Sequence, residues 1–409
     1  MTQIKSNNKA IWIGGFSTVL ATFQLVILRN YLVIFLREDL LTAITIITVI
    51  VSLRNFLQLF FRVPFGELSQ IIGRKPLIIS GHFSITLSLV LMSVADSWHW
   101  VLLSIMFVAI GMSAFWPCIL AYLSDFASDN SFGGGNIGRI FQMADLGSLF
   151  GLLISSLVLD ELVWKLTDLF GIAAGIAFVF GLVNIIILPE GLEITNKKQV
   201  SSIPKAIFDS FFSMLSSLKK MTLTKELTQA YIYQLLVSFV EFTAATFIPL
   251  LIVQKGFSRG DVSEIGLWVI LVSLWFKPFL GRLTDKFTFT SVITTTLIVY
   301  SFALIIFTIE KNFLLLIIIY IFMNLSLVTA YMAENNEVSR KAPLSYKGTA
   351  LGALGFYVSL GRTGSTIISG PIWEFLDLIS VFYIISFAII IITLILFILN
   401  RRKTLRIVK

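Results

Sequence analysis

Twelve long apolar runs alternate with polar connections along this chain of 409 residues. A helix needs about 20 apolar residues to cross the hydrocarbon core of a bilayer, and each run approaches or exceeds that length. The sequence therefore predicts an all-α integral membrane protein with twelve transmembrane helices. The runs lie at about 11–36, 42–65, 77–95, 100–124, 137–159, 169–188, 227–253, 262–280, 288–309, 312–333, 348–370 and 378–400.

The composition excludes a soluble globular protein. The chain is 57% hydrophobic and only 13% charged, so it lacks the polar residues that a water-facing surface needs. The single cysteine, Cys118, excludes intramolecular disulfides and cysteine-rich metal sites. Because the sequence also lacks a Walker motif, a metal-ligand spacing and a nucleophile elbow, we expect no cofactor and no enzymatic activity.

Two short segments occur twice, which indicates an internal duplication. Residues 62–76 read RVPFGELSQIIGRKP, and a related KPFLGRLTDKF follows about 215 positions later. The segment AYLSD at 121–125 likewise returns as AYMAE at 330–334. We predict an N-terminal six-helix half, 1–191, and a C-terminal six-helix half, 227–409, in a pseudo-symmetric arrangement.

The longest internal connection, residues 192–226, joins the two halves. Its apolar residues recur at helical spacing while its charged residues fall elsewhere, as expected for a helix lying in the membrane interface. We therefore predict a cytoplasmic linker with an interfacial helix. Its apolar residues are Ile203, Ile207, Phe211, Met214, Leu215 and Leu218.

The distribution of Lys and Arg predicts the orientation. With the amino terminus in the cytoplasm, the inner connections and termini carry 21 of these residues and the outer connections carry five. Such an excess is typical of the cytoplasmic side. We predict a multi-pass protein of the plasma membrane with both termini cytoplasmic. The same count explains the net charge of +8 without a nucleic-acid partner.

Charged residues inside the apolar runs indicate which helices face a polar interior. At mid-bilayer each costs about 2.5–3.5 kcal/mol on insertion scales unless it faces protein or water. The third, sixth, ninth and twelfth runs contain none, so these helices are compatible with lipid on all sides. The charged residues that we single out are Arg29, Arg54, Arg62, Asp145, Glu241, Lys277 and Arg362.

Helical phase groups several of these charges with other polar side chains. At 100° per residue, Tyr231, Gln234 and Glu241 fall on one arc of the seventh run, and Arg362 falls on a polar arc of the eleventh. We predict a central polar site for substrate and coupling ion between the halves. Structural ion pairs or helix-packing hydrogen bonds are the alternative interpretation. The candidate residues are Arg29, Arg54, Asn55, Gln58, Trp116, Asp145, Tyr231, Gln234, Glu241, Asn324, Tyr331 and Arg362.

The repeated segment and the helix pattern resemble the major facilitator superfamily of secondary transporters over essentially the whole chain. The resemblance implies two six-helix halves and a conformational-switch motif after the second span. The first copy departs from the motif at Gln70, where the family has an acidic residue, and at Ile71, where it has a basic one. The implied switch residues are Gly66, Gly73, Arg74, Lys75, Gly281, Asp285 and Lys286.

Signatures of drug/proton antiporters in this family are mostly missing. Their arginine in the fourth span is replaced by Phe107, and only Gly147 and Gly151 remain of a glycine and proline run in the fifth. Drug export is therefore not indicated. We expect the two glycines to allow close helix packing.

The sequence thus predicts a secondary active transporter of a small organic solute that works by alternating access. Five buried basic groups against Asp145 and Glu241 favour an anionic substrate, and the acids favour protons as the coupling ion. One alternative is a multidrug or amphiphile exporter that uses Glu241 with Trp116, Trp268 and Trp275. Another is a non-transporting receptor, scramblase or membrane enzyme. We expect a monomer whose partners are its small-molecule substrate and the lipid bilayer.

Overall fold

A computed structural model describes residues 8–126, 134–189, 225–342 and 347–407. These residues form twelve α-helices in chain order and contain no strand. The helices are α1 Asn8–Ile34, α2 Ile44–Ile72, α3 Arg74–Ser93, α4 Trp98–Phe126, α5 Gly134–Ser156, α6 Leu166–Ile187, α7 Lys225–Gln254, α8 Arg259–Lys286, α9 Phe289–Ile309, α10 Phe313–Lys341, α11 Lys347–Phe375 and α12 Leu378–Ile407.

The predicted all-α membrane fold is confirmed. Within the described ranges, ten helices are long and apolar enough to cross a bilayer. The other two, α8 and α11, contain 28 and 29 residues and are therefore also long enough to cross a bilayer. Of the predicted linker, the structure describes only Lys225 and Glu226, at the start of α7, and the predicted interfacial helix lies outside the described residues.

The chain divides into two compact units. The first contains Met1–Thr42, Leu53–Ser216 and Ser258–Glu264, and the second contains Ala43–Ser52, Ser217–Phe257 and Ile265–Lys409. In the first unit, α1 packs against α5, and α3 packs against α4 and α6. In the second unit, α7 packs against α11, and α9 packs against α10 and α12.

Two glycines allow α5 to lie directly against α1. A Cβ atom at Gly147 would collide with the Val19 carbonyl oxygen and the Thr22 side chain, and one at Gly151 would collide with the Val26 side chain. Such close backbone approach is how small residues join helices in a membrane. The glycines therefore have the packing role that the sequence predicted.

The polar stretch after the second apolar run is more helical than predicted. Helix α2 continues through Ile72, and α3 begins at Arg74. Only Gly73 separates them, with φ +96° and ψ +163°, a backbone conformation open to glycine and costly for other residues. Hydropathy marked the end of the apolar run at about residue 65, whereas the helix continues because the following polar residues are compatible with it.

Helices α1 and α5 end in the same way. Each finishes in a π-helical turn, Phe35–Asp39 after α1 and Leu157–Glu161 after α5. Each turn is followed by a residue with positive φ, 48° at Leu41 and 53° at Val163. Neither residue is a glycine, so both positions carry backbone strain.

The core of the first unit encloses the single cysteine. Cys118 of α4 is fully buried beside Leu68, Phe115 and Tyr122. Its Sγ atom lies 3.8 Å from the Phe65 carbonyl oxygen. The thiol is therefore a packed core group, as expected for a small apolar side chain.

Candidate functional site

Three helices of the second unit bring Glu241, Tyr331 and Arg362 together. Glu241 lies on α7, Tyr331 on α10 and Arg362 on α11. The residue before the arginine, Gly361, permits this approach, because a Cβ atom there would stand 2.6 Å from the Leu235 carbonyl oxygen of α7. The missing side chain lets the two backbones come close, which sets Arg362 within reach of Glu241.

The three side chains meet at one carboxylate oxygen. Arg362 places Nη2 at 3.2 Å and Nε at 3.3 Å from Glu241 Oε2. The Tyr331 hydroxyl donates to the same oxygen at 3.4 Å. The Arg362 guanidinium carbon also lies 5.6 Å from the centroid of the Phe242 ring, within the range of a cation–π contact.

The two charged partners differ in exposure. The Glu241 side chain is 7% exposed, whereas the Arg362 side chain is 26% exposed. The carboxylate is thus enclosed, and part of the arginine remains accessible. Because desolvating two charges offsets most of their attraction, the pair is poor evidence for a role in stability alone. Charges retained at membrane depth are more often part of a substrate or ion pathway.

The other predicted residues of α7 extend the polar arc. Tyr231, Gln234 and Glu241 are all buried, as are most residues of α7, so their role in a substrate site stays a prediction. Tyr231 donates to the Ala350 carbonyl oxygen at 3.3 Å and stacks on Tyr357 with ring centroids 5.0 Å apart. Gln234 donates to Ser238 within the same helix at 3.0 Å.

Asn324 lies on α10, seven residues before Tyr331. Two turns of helix correspond to about 10 Å, so it lies at another level from the three-residue cluster. Its Oδ1 atom accepts a hydrogen bond from Ser273 of α8 at 2.6 Å. Asn324 is therefore tied to α8.

The remaining candidates lie in the first unit. Three of them share α2, where Arg54, Asn55 and Gln58 are all buried, and Gln58 Nε2 lies 3.3 Å from the Met112 sulfur. Asp145 on α5 and Trp116 on α4 are partly buried, whereas Arg29 on α1 is exposed. The three α2 residues thus form a buried polar stretch, whereas the Arg29 side chain is exposed on α1.

In the first copy of the switch motif, Gly73 separates α2 from α3, and the neighbouring Arg74 donates through Nη1 to the Ala121 carbonyl oxygen at the end of α4. Lys75 is partly buried. At Gly66, a Cβ atom would lie in ordinary contact with Pro117, 3.7 Å away. The first copy therefore connects α2, α3 and α4.

The second copy lies at the end of α8. A Cβ atom at Gly281 would lie 3.8 Å from the Met332 sulfur, and Thr284 donates to the Gly281 carbonyl oxygen at 2.8 Å. Lys286 is exposed, whereas the Asp285 side chain lies outside the described part of the chain. The role of these residues in switching stays a prediction.

Two buried acidic residues of α10, Glu334 and Glu337, were missed from the sequence. Glu334 is on α10, one turn beyond Tyr331, and its side chain is fully buried. The apolar run ends at about 333, so Glu334 was not counted among the membrane charges. The available signal was the repeat, in which Glu334 occupies the position of Asp125.

The sequence matches the family described as the Major Facilitator Superfamily over residues 14–366. The chain belongs to this superfamily. Membership makes it a secondary transporter and a multi-pass membrane protein rather than an enzyme, as the sequence predicted. No curated protein matches the sequence.

Solved structures share the major facilitator fold. One is a POT family transporter in complex with a thioalcohol conjugated peptide, 13% identical with a TM-score of 0.79 over 96% of both chains. Another is peptide transporter POT in complex with sulfate, 13% identical with a TM-score of 0.78 over 96% of this chain and 94% of that one. A third is nucleoside transporter NupG, 13% identical with a TM-score of 0.75 over 94% of this chain and 99% of that one. At these identities the likeness establishes the fold.

Proposed function

We propose that the protein is a proton-coupled transporter of a small organic solute that carries a carboxylate or another anionic group. The observation that carries this proposal is the partly exposed Arg362 paired with the enclosed Glu241. A guanidinium is the side chain best suited to hold a carboxylate by two parallel hydrogen bonds. Arg362 is therefore the proposed anchor for the substrate anion.

Glu241 then acts as a counterion that the substrate replaces. A substrate carboxylate that binds Arg362 competes with Glu241 Oε2 for the same guanidinium. The displaced Glu241 is left as a desolvated carboxylate, for which binding a proton from water is favourable. One anion and one proton then occupy the protein together, which couples their movement during alternating access.

The amphiphile exporter receives less support. In that alternative a cationic substrate binds Glu241, yet the Glu241 carboxylate already has a cationic partner in Arg362. The tryptophans assigned to it on α8 are Trp268, which is 49% exposed, and Trp275, which is 84% exposed.

We also propose that the protein lies in the plasma membrane with both termini in the cytoplasm. The distribution of Lys and Arg supports this orientation.

A screen for stabilising ligands tests the substrate class directly. Purified protein is heated with panels of carboxylates, phosphonates, neutral amides and organic cations matched in size. A ligand at 100 times its dissociation constant raises the stability by about 2.7 kcal/mol. Stabilisation by anions, followed by proton-driven accumulation of the same compound in reconstituted vesicles, is the expected result. Stabilisation by cations alone would contradict the proposal.

A further inference from the structure

The second unit contains a buried carboxyl group that is not part of the proposed substrate site. Glu334 is 0% exposed. Within the part of the chain that the structure describes, neither Oε1 nor Oε2 has a hydrogen-bond partner. A polar group in this state is uncommon, because buried side-chain oxygens in folded proteins are nearly always satisfied.

The next acidic residue on the same helix shows what a satisfied carboxylate looks like. Glu337 is also buried, but it pairs with Arg340 at 2.9 Å and with Lys341 at 2.7 Å. Its negative charge is therefore compensated. Glu334 is three residues earlier and lacks such partners among the described residues, so the same charge there would be desolvated and unpaired.

The charged and titratable groups of the surrounding helices are engaged elsewhere or not bonded to Glu334. On α7 and α11, Glu241 and Arg362 pair with each other, and Tyr231 stacks on Tyr357. On α10 itself, Tyr331 lies within electrostatic range of Glu334 while its hydroxyl donates to Glu241. The other such groups on the described side chains of α8 and α9 are Arg259, Asp261, Glu264, Lys277, Arg282, Lys286 and Tyr300.

We infer that Glu334 carries a proton in this conformation and is a second proton-binding carboxyl of the transport cycle. An isolated buried carboxylate is far less stable than the neutral acid, so burial without partners selects the protonated form. The group can ionise only when water or a cation reaches it. A proton on Glu334 therefore favours the conformation in which it is enclosed, and its loss favours one in which it is solvated.

The position of Glu334 links it to the proposed substrate site. Residues three apart on a helix are neighbours, so Glu334 lies one turn from Tyr331, which contacts Glu241. Tyr331 thus contacts Glu241 through its hydroxyl and has Glu334 as its neighbour one turn along α10. This inference rests on the proposed function for the meaning of the proton, but the proton itself can be detected without any substrate.

Infrared difference spectroscopy of the full-length protein tests the inference. The carbonyl band of a protonated carboxylic acid is separate from the bands of carboxylates. We expect the spectrum at neutral pH to lose one carboxylic-acid band in Glu334→Gln and to keep it in the matched control Glu337→Gln. If Glu334→Gln does not fold, Glu334→Asp should shift the same band. A spectrum in which Glu334→Gln, or the substitute Glu334→Asp, leaves that band unchanged overturns the inference.

Transport gives the second measurement. In vesicles with an imposed proton gradient, Glu334→Gln should lose accumulation of the stabilising anion while exchange between equal pools continues. Accumulation equal to that of the wild type would overturn the role in the cycle. If no anion is transported by any variant, the proposed function fails, whereas the infrared result still decides whether Glu334 holds a proton.

Discussion

Arg362 contacts Glu241 through two nitrogen atoms that both meet a single oxygen, Oε2, at 3.2 and 3.3 Å. Strong guanidinium–carboxylate pairs use two oxygens at about 2.7–2.9 Å. The contact is therefore longer and less complete than an optimal pair. A substrate carboxylate that offered two oxygens would form the better pair, so Glu241 resembles a weak ligand already bound to the anion site.

Arg362→Lys is expected to weaken binding of an anionic substrate although the charge is kept. An ammonium cannot form two parallel hydrogen bonds to a carboxylate. The measurement is the ligand concentration needed for half of the thermal stabilisation, which should rise at least tenfold. Arg54→Lys tests the buried arginine of α2 in the same way. Unchanged binding in both variants would leave the two arginines with a structural role.

Glu241→Gln is expected to abolish accumulation of substrate against its gradient. The amide cannot take up a proton at transport pH, whereas Arg362 remains free to bind the anion, so exchange between equal pools should continue. Both quantities are measured in the same reconstituted vesicles. Asp145→Asn is the matched comparison, because Asp145 is the other acid in the predicted site. Proton-driven accumulation by Glu241→Gln would remove Glu241 from coupling.

Breaking the ion pair from one side should destabilise the protein more than removing it entirely. Arg362→Met leaves an enclosed carboxylate without its cation, for which losses of about 3–5 kcal/mol are typical. The double variant Glu241→Leu with Arg362→Met should recover most of that loss, because neither charge remains. Melting temperatures in detergent provide the comparison. A folded double variant without transport would show that the pair serves function, and one with normal transport would contradict the proposed site.

Val163→Asn is expected to raise the melting temperature. Val163 is 80% exposed and has φ +53°, so the valine contributes little packing and adopts a strained conformation. Asparagine tolerates this backbone region, and relief of about 1 kcal/mol is expected. Leu41→Asn at the end of the α1 turn should act in the same direction.

Val94→Asn is the control for these two variants. Val94 is also exposed, but its φ is −108°, so no strain is available for relief. A stabilisation of Val94→Asn equal to that of Val163→Asn would assign the effect to polarity rather than to the backbone.

The proposed orientation can be tested with two single cysteines. Lys286 at the end of α8 and Lys311 before α10 are both exposed, and the positive-inside pattern assigns them to opposite sides. An impermeant thiol reagent added to intact cells should label Lys311→Cys and not Lys286→Cys. The reverse result would invert the topology.

The helices were predictable because each apolar run had to satisfy its backbone hydrogen bonds within the membrane. Phase also grouped Tyr231, Gln234 and Glu241, but most of α7 is buried, so burial does not test that grouping. Helix ends were less predictable, because hydropathy identifies only the apolar segment and a helix can continue beyond it. Glu334 lies just after the tenth apolar run and was missed for this reason. The pairing of Glu241 with Arg362 depends on how closely α7 and α11 approach, and a sequence does not give that distance.

The burial of Cys118 has a practical consequence for every labelling experiment on this protein. An enclosed thiol has no access to water-soluble reagents, so the native chain already behaves as a background without reactive cysteines. Spin labels or fluorophores can then be attached at introduced cysteines while Cys118 stays in place. Replacing Cys118 would instead disturb a packed position beside Phe115 and Tyr122, so the unmodified chain is the better starting point for distance measurements.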